Sequence, residues 1–299
     1  MKRHHLRALA LGVAGSAALQ LALASGAQAN VQLGAYVQNS SQSMFTNLEH
    51  YLGRRLAIDA HYYQWKSTFP RSVDRWDLQN GRTPYMNWAQ VASGIINSGS
   101  QDSWIRQRAI AVKALGRPVF ISFAPEMDRK STSGGPSAYK AAWYRIRRIF
   151  RSVGASNVRW VWCPTNSGFQ TGRAQPYYPG SWSVDWVCAN GFNWGGSRGG
   201  FEWRQFTDIF PAFYNWAVRT GKPIVISEWG SVEGGSGAKA QWFHNLQYQV
   251  KSRFPALDAL IYFDTVSHTP SVINWRVDTS WSSYSAFKQL ANDPYYRAF

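Results

Sequence analysis

Gly116-Arg117-Pro118-Val119-Phe120-Ile121-Ser122-Phe123-Ala124-Pro125-Glu126 has a counterpart in Gly221-Lys222-Pro223-Ile224-Val225-Ile226-Ser227-Glu228. Each begins with a glycine that stops a helical pattern, passes a basic residue and a proline, and runs through apolar residues to a glutamate. An unbroken apolar run of this length reads as a strand covered on both faces, the habit of parallel sheets. Further strand-like runs lie at 31–37, 56–62, 83–88, 158–163, 184–189 and 257–263, besides 118–123 and 223–227. Helical patterns alternate with them. Over 102–115, Ile105, Ala109, Val112 and Leu115 share one stripe; over 137–153, Tyr139, Trp143, Ile146, Ile149 and Phe150 do. The stretches 203–220 and 238–254 behave similarly. Strand–helix units repeated in this way predict an α/β chain closed into a (β/α)8 TIM barrel, a single domain over 30–299. A doubly wound open sheet is the competing fold. It would carry a glycine-rich phosphate turn after its first strand, where this chain has Gly34-Ala35-Tyr36-Val37-Gln38.

The N-terminal segment reads as a leader. Lys2, Arg3 and Arg7 precede an apolar stretch at 9–24, which closes on Ala27-Gln28-Ala29. That small-x-small ending is what a signal peptidase reads, so 1–29 are expected to be a secretory signal peptide and the mature protein to be secreted, extracellular or periplasmic. A membrane anchor is the other reading, but the stretch is short and Gly/Ala-rich for a span, and no stable membrane insertion is expected. The remainder suits one large domain, expected to act as a monomer.

The net charge of +16 is large. Such a field gathers anionic partners: nucleic acid, an acidic polysaccharide or an anionic cell envelope. The basic residues form no block and no nucleic-acid motif is present, so no nucleic-acid partner is expected. With 16 Trp, packing alone is expected to leave some indoles for a surface use, and the C–H faces of sugars stack on flat aromatic rings. Cys163 and Cys188 each end a strand-like run, Trp160-Val161-Trp162-Cys163 and Asp185-Trp186-Val187-Cys188. Neighbouring strands would allow a disulfide; the alternative is two buried thiols. Nothing resembles a Cys/His metal cluster, and no metal or cofactor is expected.

Reactive residues of such barrels sit at the C-terminal ends of strands. Glu126 and Glu228 both follow strands, the fourth and the seventh, which face each other across the mouth. A glutamate ending a buried strand must be paired or used. Cleavage of a glycosidic bond uses such a pair: one carboxylic acid protonates the leaving oxygen, while the other carboxylate attacks the anomeric carbon if the two lie ~5–5.5 Å apart. The acid then needs a raised pKa and the nucleophile must stay ionised.

The run Phe120-Ile121-Ser122-Phe123-Ala124-Pro125-Glu126-Met127-Asp128 resembles the acid/base strand of glycoside hydrolase family 26, the β-mannanase family. In the family's order follow Ala141-Ala142-Trp143-Tyr144-Arg145-Ile146, Asn157-Val158-Arg159-Trp160-Val161-Trp162-Cys163-Pro164, Tyr177-Tyr178-Pro179-Gly180, Asn190-Gly191-Phe192-Asn193-Trp194-Gly195 and Ile226-Ser227-Glu228-Trp229-Gly230-Ser231. The resemblance spans nearly the whole of 30–299. It implies the barrel, a retaining mechanism with Glu126 as acid/base and Glu228 as nucleophile, and β-1,4-mannan as the default polysaccharide substrate. Three positions depart from it. The family has His where Pro125 stands, Asn where Asp128 stands, and often a Tyr touching the nucleophile where Phe192 stands. An ionised Asp128 beside Glu126 would raise the pKa of the acid.

For the groove, His61 and Trp65 after the second strand, Trp88 ending the third, Asp128, and Phe192, Asn193 and Trp194 after the sixth are expected to contact sugar. Tyr262 and Asp264 are expected at the rim, and Asp59 is read as structural. Two alternatives accompany the mannanase reading. One is a hydrolase of an acidic exopolysaccharide or mixed β-glucan, which the charge and altered pocket suit. The other is a carbohydrate-binding pseudoenzyme, which Pro125 and Phe192 favour and retention of both glutamates opposes.

Overall fold

A computed structural model describes residues 31–197, 199–268 and 272–296; the expected signal peptide at 1–29 lies outside them. The apolar runs form parallel strands: β1 (Gln32–Val37), β2 (Ile58–Tyr63), β3 (Thr83–Trp88), β4 (Val119–Phe123), β5 (Val158–Trp162), β6 (Trp186–Asn193), β7 (Ile224–Ser231) and β8 (Leu257–Asp264). Each pairs with the next, and β8 pairs with β1 from Gln32↔Ala259 to Val37↔Asp264, so the sheet closes into an eight-stranded barrel. Closure requires β1 and β2 to approach closely at Gly34, where any Cβ would collide with the Ile58 carbonyl.

Helices fill the connections in chain order: α1 (Gln42–Leu52), α2 (Ser72–Gln79), α3 (Ser93–Asn97), α4 (Asp102–Lys113), α5 (Gly135–Ser152), α6 (Asn166–Gln170), α7 (Phe206–Ile209), α8 (Pro211–Ala217), α9 (Ala238–Arg253) and α10 (Trp281–Asn292). The stripe expected on 137–153 is the buried face of α5: Tyr139, Trp143, Ile146, Ile149 and Phe150. The single helix expected over 203–220 is divided. Residues 203–205 are outside any helix, and Pro211, which has no N–H to continue α7, starts α8 instead. Among the described residues no helix is long and apolar enough to cross a membrane.

The core has two layers. Inside the barrel, Ile58, Ala60, Tyr85, Phe120, Val161, Cys163, Cys188, Val225, Ala259 and Ile261 pack together. Between barrel and helices lies the larger cluster, rich in indoles: Trp65, Trp88, Trp143, Trp160, Trp162, Trp229 and Trp242 are all buried there. The tryptophan content is therefore spent mostly on seating helices against the sheet, and only part of it reaches a surface. β5 and β6 are neighbours, and Cys163 and Cys188 are joined by a disulfide in the barrel interior, with Cα atoms 4.4 Å apart.

Candidate active site

Strands end where the cleft opens, and two local distortions aim the glutamates into it. After β4 the chain does not enter its helix directly. Ala124 and Glu126 both take the left-handed conformation, with φ of 53° and 61°. For residues with a Cβ this backbone is strained, and it persists only where the surroundings fix it. They do: the Ala124 N–H donates to the Trp88 carbonyl at 2.8 Å, and the Glu126 N–H donates to the Cys163 carbonyl at 2.7 Å. The flanking strands β3 and β5 thus clamp the turn that presents Glu126.

On β7 the distortion is a change of phase. Val225 lies in the barrel interior and Trp229 among the outer helices, although strict alternation would put both on the same side. The register against β6 slips between them: Ala189 pairs with Ile226, but Asn190 pairs with Glu228, skipping Ser227. A bulge of this kind re-aims the side chains beyond it. It leaves the Ser227 hydroxyl inside the barrel and turns Glu228 into the cleft, whose lining includes both glutamates.

The cleft, about 470 Å³, has walls of different chemistry. Phe192, Trp194, Phe201, Phe263 and Trp275 form an aromatic side, with Trp194 and Trp275 edge to face at 4.9 Å. Thr165, Asn166, Gln170, Arg129 and Arg204 add polar groups to the lining. An apolar wall with a few converging polar groups is the usual build of a small-molecule or sugar site.

Glu228 is buried and its pKa is pushed up to about 8, by burial first and by the Glu126 charge second. The Tyr62 hydroxyl, Lys130 and Asn190 act in the opposite direction and favour its charged form. The raised pKa was expected on Glu126; burial places it on Glu228. Burial and the neighbouring carboxylate together let Glu228 keep its proton more readily than an exposed carboxyl would. Glu126 is the more accessible member, with its side chain 23% exposed and 3.5 Å from the Arg129 guanidinium. The Asn190 amide donates to Glu126 Oε1 at 3.4 Å, while its carbonyl accepts from the Ser227 hydroxyl at 2.9 Å, which fixes its orientation.

Of the expected groove residues, Phe192 and Trp194 line the cleft. The others do not, most of them because alternation along their strands turns them away from it. On β2, Ile58 and Ala60 face the barrel interior, so His61 faces outward. It is fully buried, 2.7 Å from Asp77 on α2 and 3.8 Å from Asp59, and these three groups could together hold a metal ion. Arg82 meets that network at Asp77, 3.8 Å away, and pairs with Glu49 as well. Trp88 likewise faces outward, stacked on Trp65 at 4.7 Å, and both are core. Asn193 is buried, donating to the Ser231 hydroxyl and accepting from the Arg204 N–H. Tyr262 is buried against the outer helices and donates to the Trp275 carbonyl at 2.6 Å. Asp264 accepts from the Val277 N–H at 2.8 Å. Asp128 is turned from Glu126: it accepts from the N–H and hydroxyl of Thr165, in a space left by Gly168, whose Cβ would collide with it.

Tyr62, Asn190, Phe263 and Trp275 were missed. The signal was parity: on β2 the inward set is 58, 60 and 62, which selects Tyr62 over His61. Its ring packs edge-on against Tyr36 at 4.7 Å, and among the described residues its buried hydroxyl has no hydrogen-bond partner of good geometry, leaving the proton available to the Glu228 carboxylate it acts on.

No family model matches the chain. It is 26% identical over 275 residues to endoglucanase H of Acetivibrio thermocellus, an alignment that covers 87% of this chain. The chain spans 30% of that relative's length. Solved structures share the fold. The GH26 β-mannanase of Bacteroides ovatus superposes with a TM-score of 0.66 at 12% identity over 90% of each chain. The GH26 domain of an endo-β-mannanase/endo-β-glucanase from Prevotella bryantii gives 0.62 at 11% identity, covering 89% of this chain and 90% of that one. Thermotoga maritima Cel5A, solved in complex with mannotriose, gives 0.62 at 13% identity over 87% of this chain and 98% of that one.

Proposed function

We propose that the cleft is the active site of an exported retaining β-glycan hydrolase, with Glu126 as acid/base and Glu228 as nucleophile. The observation that carries this reading is the delivery of two glutamates from β4 and β7 into one aromatic-walled cleft, close enough that the charge of one raises the pKa of the other. The likeness to GH26 β-mannanases supports β-1,4-mannan as the default substrate, and the endoglucanase relative favours mixed β-glucan as the second. Export accords with the leader read at 1–29, and the Cys163–Cys188 disulfide suits an oxidising compartment.

The chemistry follows from the pair. In the reactive form a proton sits on Glu126 and Glu228 is charged. Glu126 gives that proton to the leaving glycosidic oxygen as a Glu228 oxygen bonds to the anomeric carbon. Water, deprotonated by Glu126, then displaces the sugar from Glu228 and restores both groups. The cost of charging buried Glu228 is offset by the Tyr62 hydroxyl, Lys130 and Asn190. Tyr62 thereby fills, from a different strand, the donor role that Phe192 cannot.

Tyr62→Phe tests this role. The hydroxyl favours the charged form of Glu228, so removing it raises that pKa, and a smaller share of the enzyme holds the reactive arrangement with Glu228 charged. Because Glu228 carries the raised pKa, its loss of the proton governs the alkaline limb of kcat/KM; that limb should move upward in pH, with a loss of roughly tenfold or more at the plateau, the scale of one hydrogen bond to a charged group. An unmoved alkaline limb with an unchanged plateau would remove Tyr62 from the mechanism. The activity itself is tested on a glycan panel of mannan, glucomannan, mixed-linkage β-glucan and acidic exopolysaccharides, with Glu228→Ala as control. Release of new reducing ends is expected; binding of one glycan without turnover of any would establish a pseudoenzyme.

A further inference from the structure

A second groove lies at the opposite end of the barrel, where strands begin. The C-terminal half of α5, the turn after it, the first residues of β5 and the loop before β6 enclose about 520 Å³. Arg147, Arg148, Arg151 and Arg159 line it, with Asp185 as the one carboxylate. Asp185 is already engaged: it lies 3.6 Å from Arg147 and accepts from the Trp160 N–H at 2.8 Å. Arg148, Arg151 and Arg159 are exposed and form no ion pair among the described residues. Gathering like charges in one groove opposes folding, whereas a bound anion would relieve it.

Beside the arginines stands a flat aromatic face. Trp182 is 76% exposed, yet its ring is held, stacked on Tyr144 at 5.0 Å and 23°. The Tyr144 hydroxyl donates to the Pro179 carbonyl at 2.8 Å, which fixes the lower ring. Gly180, at φ 89°, leaves the space the indole occupies; a Cβ there would come within 3.1 Å of Trp182 Nε1. An exposed indole locked in place offers a stacking surface with little conformational entropy left to lose.

We infer that this groove is a second, non-catalytic binding site for an acidic polysaccharide. A sugar ring stacks on Trp182 while its carboxylates meet the forked guanidinium groups of Arg148, Arg151 and Arg159. The choice of glycan over nucleic acid rests on the glycan-hydrolase reading of the cleft and on the one exposed aromatic stack that the described residues place in this groove, where a nucleic-acid strand would need several for successive bases. Such a site would hold the enzyme on an anionic matrix while the distant cleft works on its own substrate.

Affinity electrophoresis of the full chain tests this in the Glu228→Ala background, in gels containing polygalacturonate, neutral mannan or polyuridylate. Polygalacturonate should retard the protein, less so at high salt. Trp182→Ala should weaken that binding roughly tenfold, and replacing Arg148, Arg151 and Arg159 together with Ala should abolish it. Trp182→Ala alters an exposed ring only and carries the test if the triple variant fails to fold. Full affinity in Trp182→Ala would reduce the groove to a nonspecific basic surface and overturn the inference. Equal retardation by polyuridylate, lost in the same variant, would assign the groove to nucleic acid instead. Turnover of short soluble oligosaccharides, measured separately with Glu228 intact, should not change in Trp182→Ala. Absence of turnover in the wild type would count against the proposed activity of the cleft, not against a groove that still binds polygalacturonate through Trp182.

Discussion

Glu228→Ala should remove turnover, lowering kcat/KM by about 10⁴-fold or more, while glycan binding changes little. The reason lies in where the carboxylate acts. In the proposed mechanism it forms a bond only in the reacting state, whereas ground-state affinity is expected from the aromatic residues that line the cleft, among them Phe192, Trp194 and Phe263. Its removal should also leave the fold intact, because the buried charge it can carry is a cost: with a pKa pushed up to about 8, Glu228 resists ionisation in the folded protein. Steady-state kinetics and glycan binding by the variant check both halves. Equal activity of Glu228→Ala and wild type would mean that the nucleophile is elsewhere.

Glu126→Ala should behave differently according to the leaving group. On natural glycans the loss should reach about 10²–10⁴-fold, because both the proton for the leaving oxygen and the base for the second step are gone. An activated aryl leaving group needs little proton assistance, so the first step survives and the glycosyl-enzyme accumulates. Azide needs no general base, and should restore part of the rate to this variant and form a glycosyl azide. The measurement is the rate with and without azide on an aryl glycoside. The same rate, without azide product, would mean that Glu126 is not the acid/base. Since the clamped turn that carries Glu126 depends on backbone bonds to Trp88 and Cys163, not on its carboxyl group, the variant should keep its structure.

The fold was legible because it rests on a repeated, coarse signal. Every expected strand run overlaps an observed strand, and the basic-Pro-apolar starts at Arg117 and Lys222 lead into β4 and β7 as expected. The two cleft glutamates were legible for the same reason: they end the two clearest apolar runs. The groove was not, because its reading used closeness to a strand end where the physics is alternation. His61, Trp88 and Tyr262 sit at the right height in the barrel and on the wrong face. Parity alone would have recovered Tyr62. It would not have recovered Asn190 and Glu228 together, since the skipped partner at Ser227 shifts the phase of β7 and leaves no mark in composition. Asp128 shows a different limit. Its partner, Thr165, lies 37 residues away, and only the fold brings Gly168 beside both. The indoles misled by number: a barrel wrapped by helices consumes large flat side chains in its outer layer, and Trp182 is the exposed one with a neighbouring basic groove.

The pairing of Glu126 with Glu228 as a retaining couple is tested most directly by the configuration of the newly released reducing end, followed by proton NMR from the first seconds of hydrolysis. Carboxyl groups ~5–5.5 Å apart, acting through a covalent glycosyl-enzyme, should release the β anomer first, with the α anomer growing in only by mutarotation. Release of the α anomer first would contradict the double displacement and require the two groups to work as an inverting pair, about 6.5–9.5 Å apart with water between them.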